Sequence, residues 1–174
     1  KFLAYHDKLT NLQNRDAFYE QVERVILEYD REESRKFTAI LYCDLDNFKL
    51  VNDSLGHNIG DRVLLEAAHR ISSSIRKSDY VYRLGGDEFT VILRNLHHEF
   101  EAGKVADKII RNVSQDFNFD GQDITYLTLS VGISIFPKDG MERELLVKKS
   151  DTAMYNAKKK GKNKFQFFST EMTD

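Results

Sequence analysis

The sequence has few of the features that mark secreted or membrane-spanning proteins. Its 174 residues include one cysteine, Cys43, so no disulfide can form within the chain, and a reducing environment is expected. The longest stretch without a charged residue, 124–137, has 14 residues, whereas a membrane-spanning helix needs about 20. No signal peptide is visible, and because the sequence begins without a methionine we expect a piece of a longer protein. We expect this domain to be cytoplasmic and without direct membrane contact, whether or not its parent is membrane-anchored.

The sequence also lacks an excess of either charge and several common ligand-binding motifs. With 26 basic and 28 acidic residues the net charge is −2, so no overall field steers the domain to nucleic acid. A Gly-x-x-x-x-Gly-Lys-Ser/Thr loop is missing, and Gly56 and Gly60 do not make a dinucleotide fingerprint. An EF-hand loop beginning at Asp44 is excluded because its sixth position is Lys49 and its twelfth is Leu55.

The hydrophobic pattern predicts one domain of alternating helices and strands. Helices are expected over residues 15–31, 48–55, 60–75, 100–113 and 142–160, and strands over residues 37–43, 80–82, 89–93, 124–136 and 164–168. A turn at Asp120 and Gly121 adds a small peripheral hairpin. This order is that of a ferredoxin-like palm, a mixed α/β (α+β) fold whose mostly antiparallel central sheet of about five strands is flanked by helices.

The first acidic motif is Arg-Leu-Gly-Gly-Asp-Glu-Phe at residues 83–89. It lies between two β-forming runs, which predicts a hairpin with Gly85 and Gly86 in its turn. Paired glycines allow positive φ and leave backbone N–H groups open to a ligand, and Asp87 and Glu88 place carboxylates beside them. On this segment alone, a solvated hairpin tip with two surface acids is an alternative interpretation.

The second acidic motif is Asp44-Leu45-Asp46, where the predicted buried strand ends. A desolvated carboxylate needs a cation or hydrogen-bond donors. In the ferredoxin-like arrangement this strand end lies beside the glycine turn, so we expect Asp44 and Asp87 to share one cation. Two carboxylates, an exposed carbonyl and the free N–H groups of the turn suit Mg²⁺ bound together with a triphosphate.

Residues 85–89 are also the signature of the GGDEF family, the bacterial signal-transduction domains that condense two GTP into cyclic di-GMP. The chain resembles this family over nearly its full length. The matching segments are residues 7–15, 44–53, 56–61, 85–89 and 150–163. Ser150 replaces the family's usual alanine, and Lys162 stands where arginine is common, which gives a point charge instead of a bidentate fork.

The resemblance implies a metal and catalytic role for five of these residues. Asp44, the Leu45 carbonyl and Asp87 would hold Mg²⁺ or Mn²⁺, and Asp87 would also be the base for the ribose 3′-hydroxyl. Lys49 would stabilise phosphate charge in the transition state. Glu88 would support the metal site from its place beside Asp87.

The resemblance also implies a binding site for GTP. Asn52 and Asp61 would read guanine, since an acid accepts from its N1–H and exocyclic amine. Lys158 and Lys162 would reach the terminal phosphates, and the N–H groups of the glycine turn would contact the nucleotide.

An inhibitory site for the product is implied by Arg76 and Asp79. In the family an Arg-x-x-Asp pattern at this distance before the glycine turn binds cyclic di-GMP, the arginine gripping phosphate or guanine and the aspartate pairing with guanine. A surface ion pair is the alternative interpretation of these two residues.

The resemblance implies partners as well. One domain should bind one GTP, so condensation requires a homodimer of facing domains. We expect a single GGDEF domain over residues 1–174, with 1–14 as a lead-in and 169–174 as a linker, and neighbouring sensor and EAL domains in the parent chain. The alternative is a catalytically silent module that binds GTP or cyclic di-GMP, although no motif acid is lost here. A purely structural dimerisation domain is more distant, and it predicts no magnesium-dependent nucleotide binding.

Overall fold

The computed structural model describes residues 2–33 and 35–172. In chain order its elements are α1 (Phe2–Tyr5), α2 (Arg15–Leu27), β1 (Phe37–Asp46), α3 (Phe48–Leu55), α4 (His57–Ser72), β2 (Tyr80–Gly85), β3 (Glu88–Leu96), α5 (Phe100–Val113), β4 (Phe117–Phe119), β5 (Gln122–Ile124), β6 (Thr128–Phe136), α6 (Arg143–Lys159) and β7 (Lys164–Phe167). The predicted lead-in and linker fall partly outside the described residues, because 1, 173 and 174 are not among them.

The five-stranded sheet has the order β2-β3-β1-β6-β7, with the hairpin β4-β5 as a second small sheet. All neighbouring pairs are antiparallel except β6 and β7. The predicted α+β fold, with its mostly antiparallel sheet and peripheral hairpin, is confirmed. Among residues 2–33 and 35–172, no helix is long and apolar enough to cross a membrane.

Strand β1 is central and is covered by helices on both faces. Ala39, Leu41 and Cys43 point into the main core, which includes residues of α3, α4 and α5, whereas Ile40 and Tyr42 join a second core with residues of α2 and α6. Side chains alternate along a strand. The same alternation places Asp44 and Asp46 on the α6 side of the sheet, where the strand runs out of apolar residues.

Helix α6 packs very closely on β6. A Cβ atom at Gly132 would overlap backbone atoms of Ser150 and Met154, so only glycine allows the helix to lie this near the strand. This close approach brings the C-terminal half of α6, including Lys158, to the acidic end of β1.

The predicted strand over residues 124–136 is wrong in its extent. Ile124 ends β5, where it pairs with Phe117, and β6 begins only at Thr128. Because Ile124, Leu127 and Leu129 are all buried in the main core, the hydrophobic run continues across the break and hides it. Helices also shift slightly: α2 ends at Leu27, and α4 spans His57–Ser72 because Gly56, with φ of +91°, ends α3 and directly begins α4.

Candidate active site

The β2-β3 turn lies one residue later than the sequence predicts, because Gly85 is the last residue of β2. Gly85 pairs with Glu88, so Gly86 and Asp87 form the two-residue turn. The φ angles of Gly85 and Gly86 are +141° and +49°, values that side chains with a Cβ rarely adopt. A Cβ at either glycine would meet nothing within 4 Å, so the turn is open on its outer side.

The end of β1 lies directly beside this turn, as the sequence predicts. Asp44 is the register partner of Glu88, and the Leu45 N–H donates to the Asp87 carbonyl at 3.3 Å. Asp44 and Asp87 are therefore side by side although they are distant in sequence. Leu45, the third predicted metal ligand, is buried between β3 and β6.

Asp44 is in an unfavourable place for a charge. Burial, followed by the hydrogen bond and the negative charge of Asp87, raises its pKa from 3.8 to about 8, with Lys158 opposing the shift. Its Oδ1 is buried and has no hydrogen-bond partner among the described residues. A divalent cation between Asp44 and Asp87 would relieve both conditions.

Asp46, two residues further along the same face, is fully satisfied. Its side chain is completely buried. Thr128 Oγ1 and Ser130 Oγ donate to it at 2.7 Å, Lys158 Nζ at 3.0 Å and the Asn163 N–H at 3.1 Å. Burial opposes its ionisation, but these donors outweigh burial and lower the pKa of Asp46. Asp46 thus anchors α6 and the start of β7 to β1.

Lys158 lies at the acidic strand end, between the two aspartates. Its Nζ is 3.0 Å from Asp46 and 3.6 Å from Asp44. The second predicted phosphate ligand, Lys162, is exposed in the turn after α6, with φ of +62°. The structure therefore places Lys158 at the site, whereas Lys162, four residues later in the sequence, is on the surface.

The predicted guanine-binding residues lie on the neighbouring helices α3 and α4. A Cβ at Gly60, the neighbour of Asp61, would overlap the half-buried Asn52 side chain, so glycine is required for this approach. Asp61 is exposed beside it. Lys49 is exposed on α3 and pairs with Asp53 at 3.0 Å.

Arg76 and Asp79 grip each other in the turn before β2. The guanidinium donates to both Asp79 oxygens at 3.0 and 3.1 Å and to the Arg94 carbonyl at 2.8 Å. The Asp79 side chain is only 1% exposed while that of Arg76 is 56% exposed. The pair is therefore half-buried and fastens this turn to β3, with the arginine accessible from outside.

Three residues at the site were missed by sequence reasoning. The Tyr42 hydroxyl donates to Glu88 Oε1 at 3.0 Å, which the strand alternation could have revealed, since Tyr42 precedes Asp44 by two positions. Arg83 donates to the Gly86 carbonyl and to Asp7. Asp7 is the third missed residue. No local sequence pattern predicts its contact with Arg83, because the two residues are 76 positions apart.

Comparison with known proteins identifies relatives of this chain. The family profile described as "Diguanylate cyclase, GGDEF domain" matches residues 4–164. The chain is 40% identical over 170 residues to the bifunctional diguanylate cyclase/cyclic di-GMP phosphodiesterase MucR of Pseudomonas aeruginosa, covering 98% of this chain but 24% of MucR. A structure of the GGDEF domain of TpbB from the same organism superposes with a TM-score of 0.88 at 38% identity and covers 94% of each chain.

A further structure adds a ligand in a similar protein. The coiled coil and GGDEF domain of DgcB from Caulobacter crescentus, in complex with cyclic di-GMP, has a TM-score of 0.83 at 27% identity, covering 94% of this chain and 85% of that one. The present chain thus covers most of the length of these two solved structures but only about a quarter of the length of MucR.

Proposed function

Because the chain belongs to the GGDEF family of diguanylate cyclase domains, we propose that it condenses two GTP into cyclic di-GMP with release of pyrophosphate. The observation that carries this proposal is the meeting of Asp44 and Asp87 at the glycine turn, with a buried Asp44 oxygen that lacks a partner. Such an arrangement is costly for the protein alone and is explained by a cation that arrives with the nucleotide.

The residues present fit Mg²⁺ or Mn²⁺. No group of three or more His, Cys, Asp or Glu side chains in the described part of the chain is arranged to hold a metal by itself. Mg²⁺ commonly binds through one or two carboxylates and completes its coordination with phosphate oxygens and water. Asp44, Asp87 and the Leu45 carbonyl would supply the protein's share. When bound, the metal neutralises the charge that develops as pyrophosphate leaves.

The remaining residues position and activate the nucleotide. Asp87 accepts the proton of the ribose 3′-hydroxyl, and Glu88, held by the Tyr42 hydroxyl, keeps negative charge beside it. Lys158 exchanges its contact with Asp44 for a terminal phosphate oxygen. Lys162 is exposed and can turn toward phosphate, and the exposed Lys49 can do so by exchanging its ion pair with Asp53.

Guanine selection belongs to the α3-α4 junction. Asn52 is fixed there by its contact at Gly60. Asp61 beside it accepts from the N1–H and the exocyclic amine, groups that adenine does not present in the same pattern.

Condensation needs two such sites, so we propose a homodimer in which each 3′-hydroxyl attacks the α-phosphate bound by the facing domain. The accessible Arg76 guanidinium is proposed to bind cyclic di-GMP as an inhibitor, and the buried Asp79 would join it once Arg76 releases its carboxylate. A structure of the DgcB GGDEF domain contains this dinucleotide. Neighbouring sensor and EAL domains in the parent chain are proposed because the matched domain is only 24% of MucR.

The test is incubation of the purified domain with GTP and Mg²⁺, followed by chromatography of the products over a range of protein concentrations. We expect cyclic di-GMP and pyrophosphate, formed at a rate per chain that rises with protein concentration through the micromolar range. GTP returned unchanged at every concentration, with EDTA and Mg²⁺ samples alike, would reject catalysis by the domain.

A second candidate is a silent module that binds GTP or cyclic di-GMP without chemistry. It is favoured by the position of Lys158, which already partly neutralises Asp44 at 3.6 Å without a metal. This candidate predicts nucleotide binding by calorimetry with no product in the same samples.

A further inference from the structure

Arg83 connects the glycine turn to the start of the domain. Its Nε and Nη2 both donate to the Gly86 carbonyl, at 3.1 and 2.8 Å, while its Nη1 donates to the two Asp7 oxygens at 2.9 and 3.0 Å. The side chains of Arg83 and Asp7 are only 13% and 17% exposed. Hydrogen bonds between a guanidinium and a carboxylate are stronger than those between neutral groups, and the planar guanidinium fixes the directions of its donors.

Asp7 is itself held firmly. The Thr10 N–H and hydroxyl both donate to its Oδ2 at 2.8 Å. Its own N–H donates to the Leu12 carbonyl at 2.7 Å, and the Gln13 carbonyl accepts from the Arg83 N–H at 2.9 Å. The lead-in loop therefore forms a closed unit that is attached to β2 by backbone and side chain together.

The Gly86 carbonyl matters because it belongs to the peptide unit that joins Gly86 to Asp87. A peptide unit is planar, so fixing its oxygen fixes the plane that ends at the Cα of the next residue, Asp87. The following plane is fixed as well, because the Asp87 carbonyl accepts from the Leu45 N–H at 3.3 Å. Both planes that flank the Asp87 Cα are thus anchored, and the direction of its side chain is set.

Without these anchors the turn would have little to hold it. Glycine pays the largest loss of conformational freedom on folding and has no side chain to pack. Gly85 and Gly86 both have open space where a Cβ would be. The two residues before Asp87 therefore contribute no packing of their own to its placement.

We propose that Arg83 is a positioning residue of the active site: held by Asp7, it fixes the Gly86 carbonyl and thereby aims Asp87 at its metal and substrate. This inference rests on the proposed function and deepens it. The domain's opening loop then sets the geometry of the catalytic turn through Arg83, which lies 76 residues from Asp7 along the chain.

The chain offers a matched control in Arg70. Its side chain is 15% exposed, pairs with Glu66 at 2.8 Å and donates to the carbonyls of Val113, Gln115 and Asp116 at 3.1, 2.7 and 2.8 Å. Arg70 thus makes the same kinds of contact as Arg83, equally buried, at the distant corner of α4, α5 and β4. A change there has a comparable structural effect and no route to Asp87.

The experiment compares Arg83→Lys with Arg70→Lys. Lysine keeps the charge in each case but loses the rigid fork. Because misplacement of a reacting group by about 1 Å can cost on the order of a hundredfold in rate, we expect Arg83→Lys to lower kcat about 10- to 100-fold with KM for GTP changed less than about threefold. Arg70→Lys should keep kcat within about twofold of the parent.

Hydrogen exchange gives a readout that does not depend on activity. Since the Leu45 N–H is bonded to the turn, peptides that contain residues 44–46 and 86–88 should exchange faster in Arg83→Lys than in the parent, and at the parent rate in Arg70→Lys. Asp7→Asn, which removes the charge that holds Arg83, should lower kcat in the same direction by a smaller factor and should add little to Arg83→Lys in the double variant.

The outcomes separate this inference from the proposed function. If the parent makes cyclic di-GMP and Arg83→Lys matches Arg70→Lys in both kcat and exchange, the positioning role is wrong and the cyclase assignment stands. If the parent makes no product, the cyclase assignment fails, and unchanged exchange at residues 44–46 and 86–88 would reject the positioning role separately. Should Arg83→Lys not fold, Asp7→Asn decides both readouts.

Discussion

Two aspartates on the same face of β1 should respond to neutralisation with opposite signs. Asp44 is a buried acid beside another acid, and its pKa is raised from 3.8 to about 8. Its charge therefore destabilises the metal-free fold, and Asp44→Asn should stabilise it. The full shift sets an upper limit of roughly 6 kcal/mol. Because Lys158 lies 3.6 Å away and the side chain is 17% exposed, we expect about 1–2 kcal/mol, or about 2–8 °C in Tm.

The pH dependence follows from the same shift. A folded pKa above the unfolded one gives stability that is complete below about pH 4 and is lost as the pH rises to about 8. The advantage of Asp44→Asn over the parent should therefore grow between pH 5 and pH 8 and level off above it. The assay is urea denaturation in EDTA, followed by far-UV circular dichroism, at pH 5, 7 and 9.

The control is Asp46→Asn on the same strand. Asp46 accepts hydrogen bonds from Lys158, Thr128, Ser130 and the Asn163 N–H. Asn at this position would remove the negative charge that Lys158 contacts at 3.0 Å and would leave that lysine only the longer contact with Asp44. Breaking a buried pair costs about 3–5 kcal/mol, so this variant should be strongly destabilised at pH 7. If Asp44→Asn were less stable than the parent at pH 9 without metal, our account of the strand end would be refuted.

Three further predictions concern catalysis. Asp87→Ala should abolish turnover while circular dichroism and Tm remain near those of the parent, since the side chain sits in a turn; parent-like product formation would show another base. Tyr42→Phe removes the hydroxyl that holds Glu88 and should lower kcat about three- to tenfold, whereas Tyr82→Phe, within the same core cluster, should not; equal kcat in all three proteins would rule out this role. Arg76→Ala should weaken inhibition by added cyclic di-GMP at least tenfold while initial rates stay similar, and an unchanged inhibition curve would place the inhibitory site elsewhere.

The sequence predicts those parts of the site that depend on a local residue pattern or on the order of the strands in the sheet. The paired glycines predict a turn, and the change from apolar residues to Asp44 predicts that this end of β1 is polar. Topology then places this end beside Asp87, because the palm arrangement makes β1 and β3 neighbours. The register that pairs Asp44 with Glu88 comes from the structure.

The parts that sequence does not predict depend on contacts across long separations. Lys158 donates to Asp46, which is 112 residues away in the sequence. From the sequence alone Lys158 is a positive charge that resembles a phosphate ligand, and nothing predicts its contact with Asp46. Asp7 lies in a predicted turn and Arg83 beside a predicted strand, and neither segment has a sequence feature that requires the other as a partner. The break between β5 and β6 is equally invisible, because the core continues across it.

The most direct test of the shared cation is a Mn²⁺ titration, followed by electron paramagnetic resonance, with a GTP analogue that cannot react. The parent should bind Mn²⁺ in the presence of the nucleotide, and Asp44→Asn and Asp87→Asn should each weaken that binding by at least tenfold. The double variant should be little weaker than either single one. Parent-like binding by either single variant, or strictly additive losses in the double variant, would contradict a single ion held by both side chains.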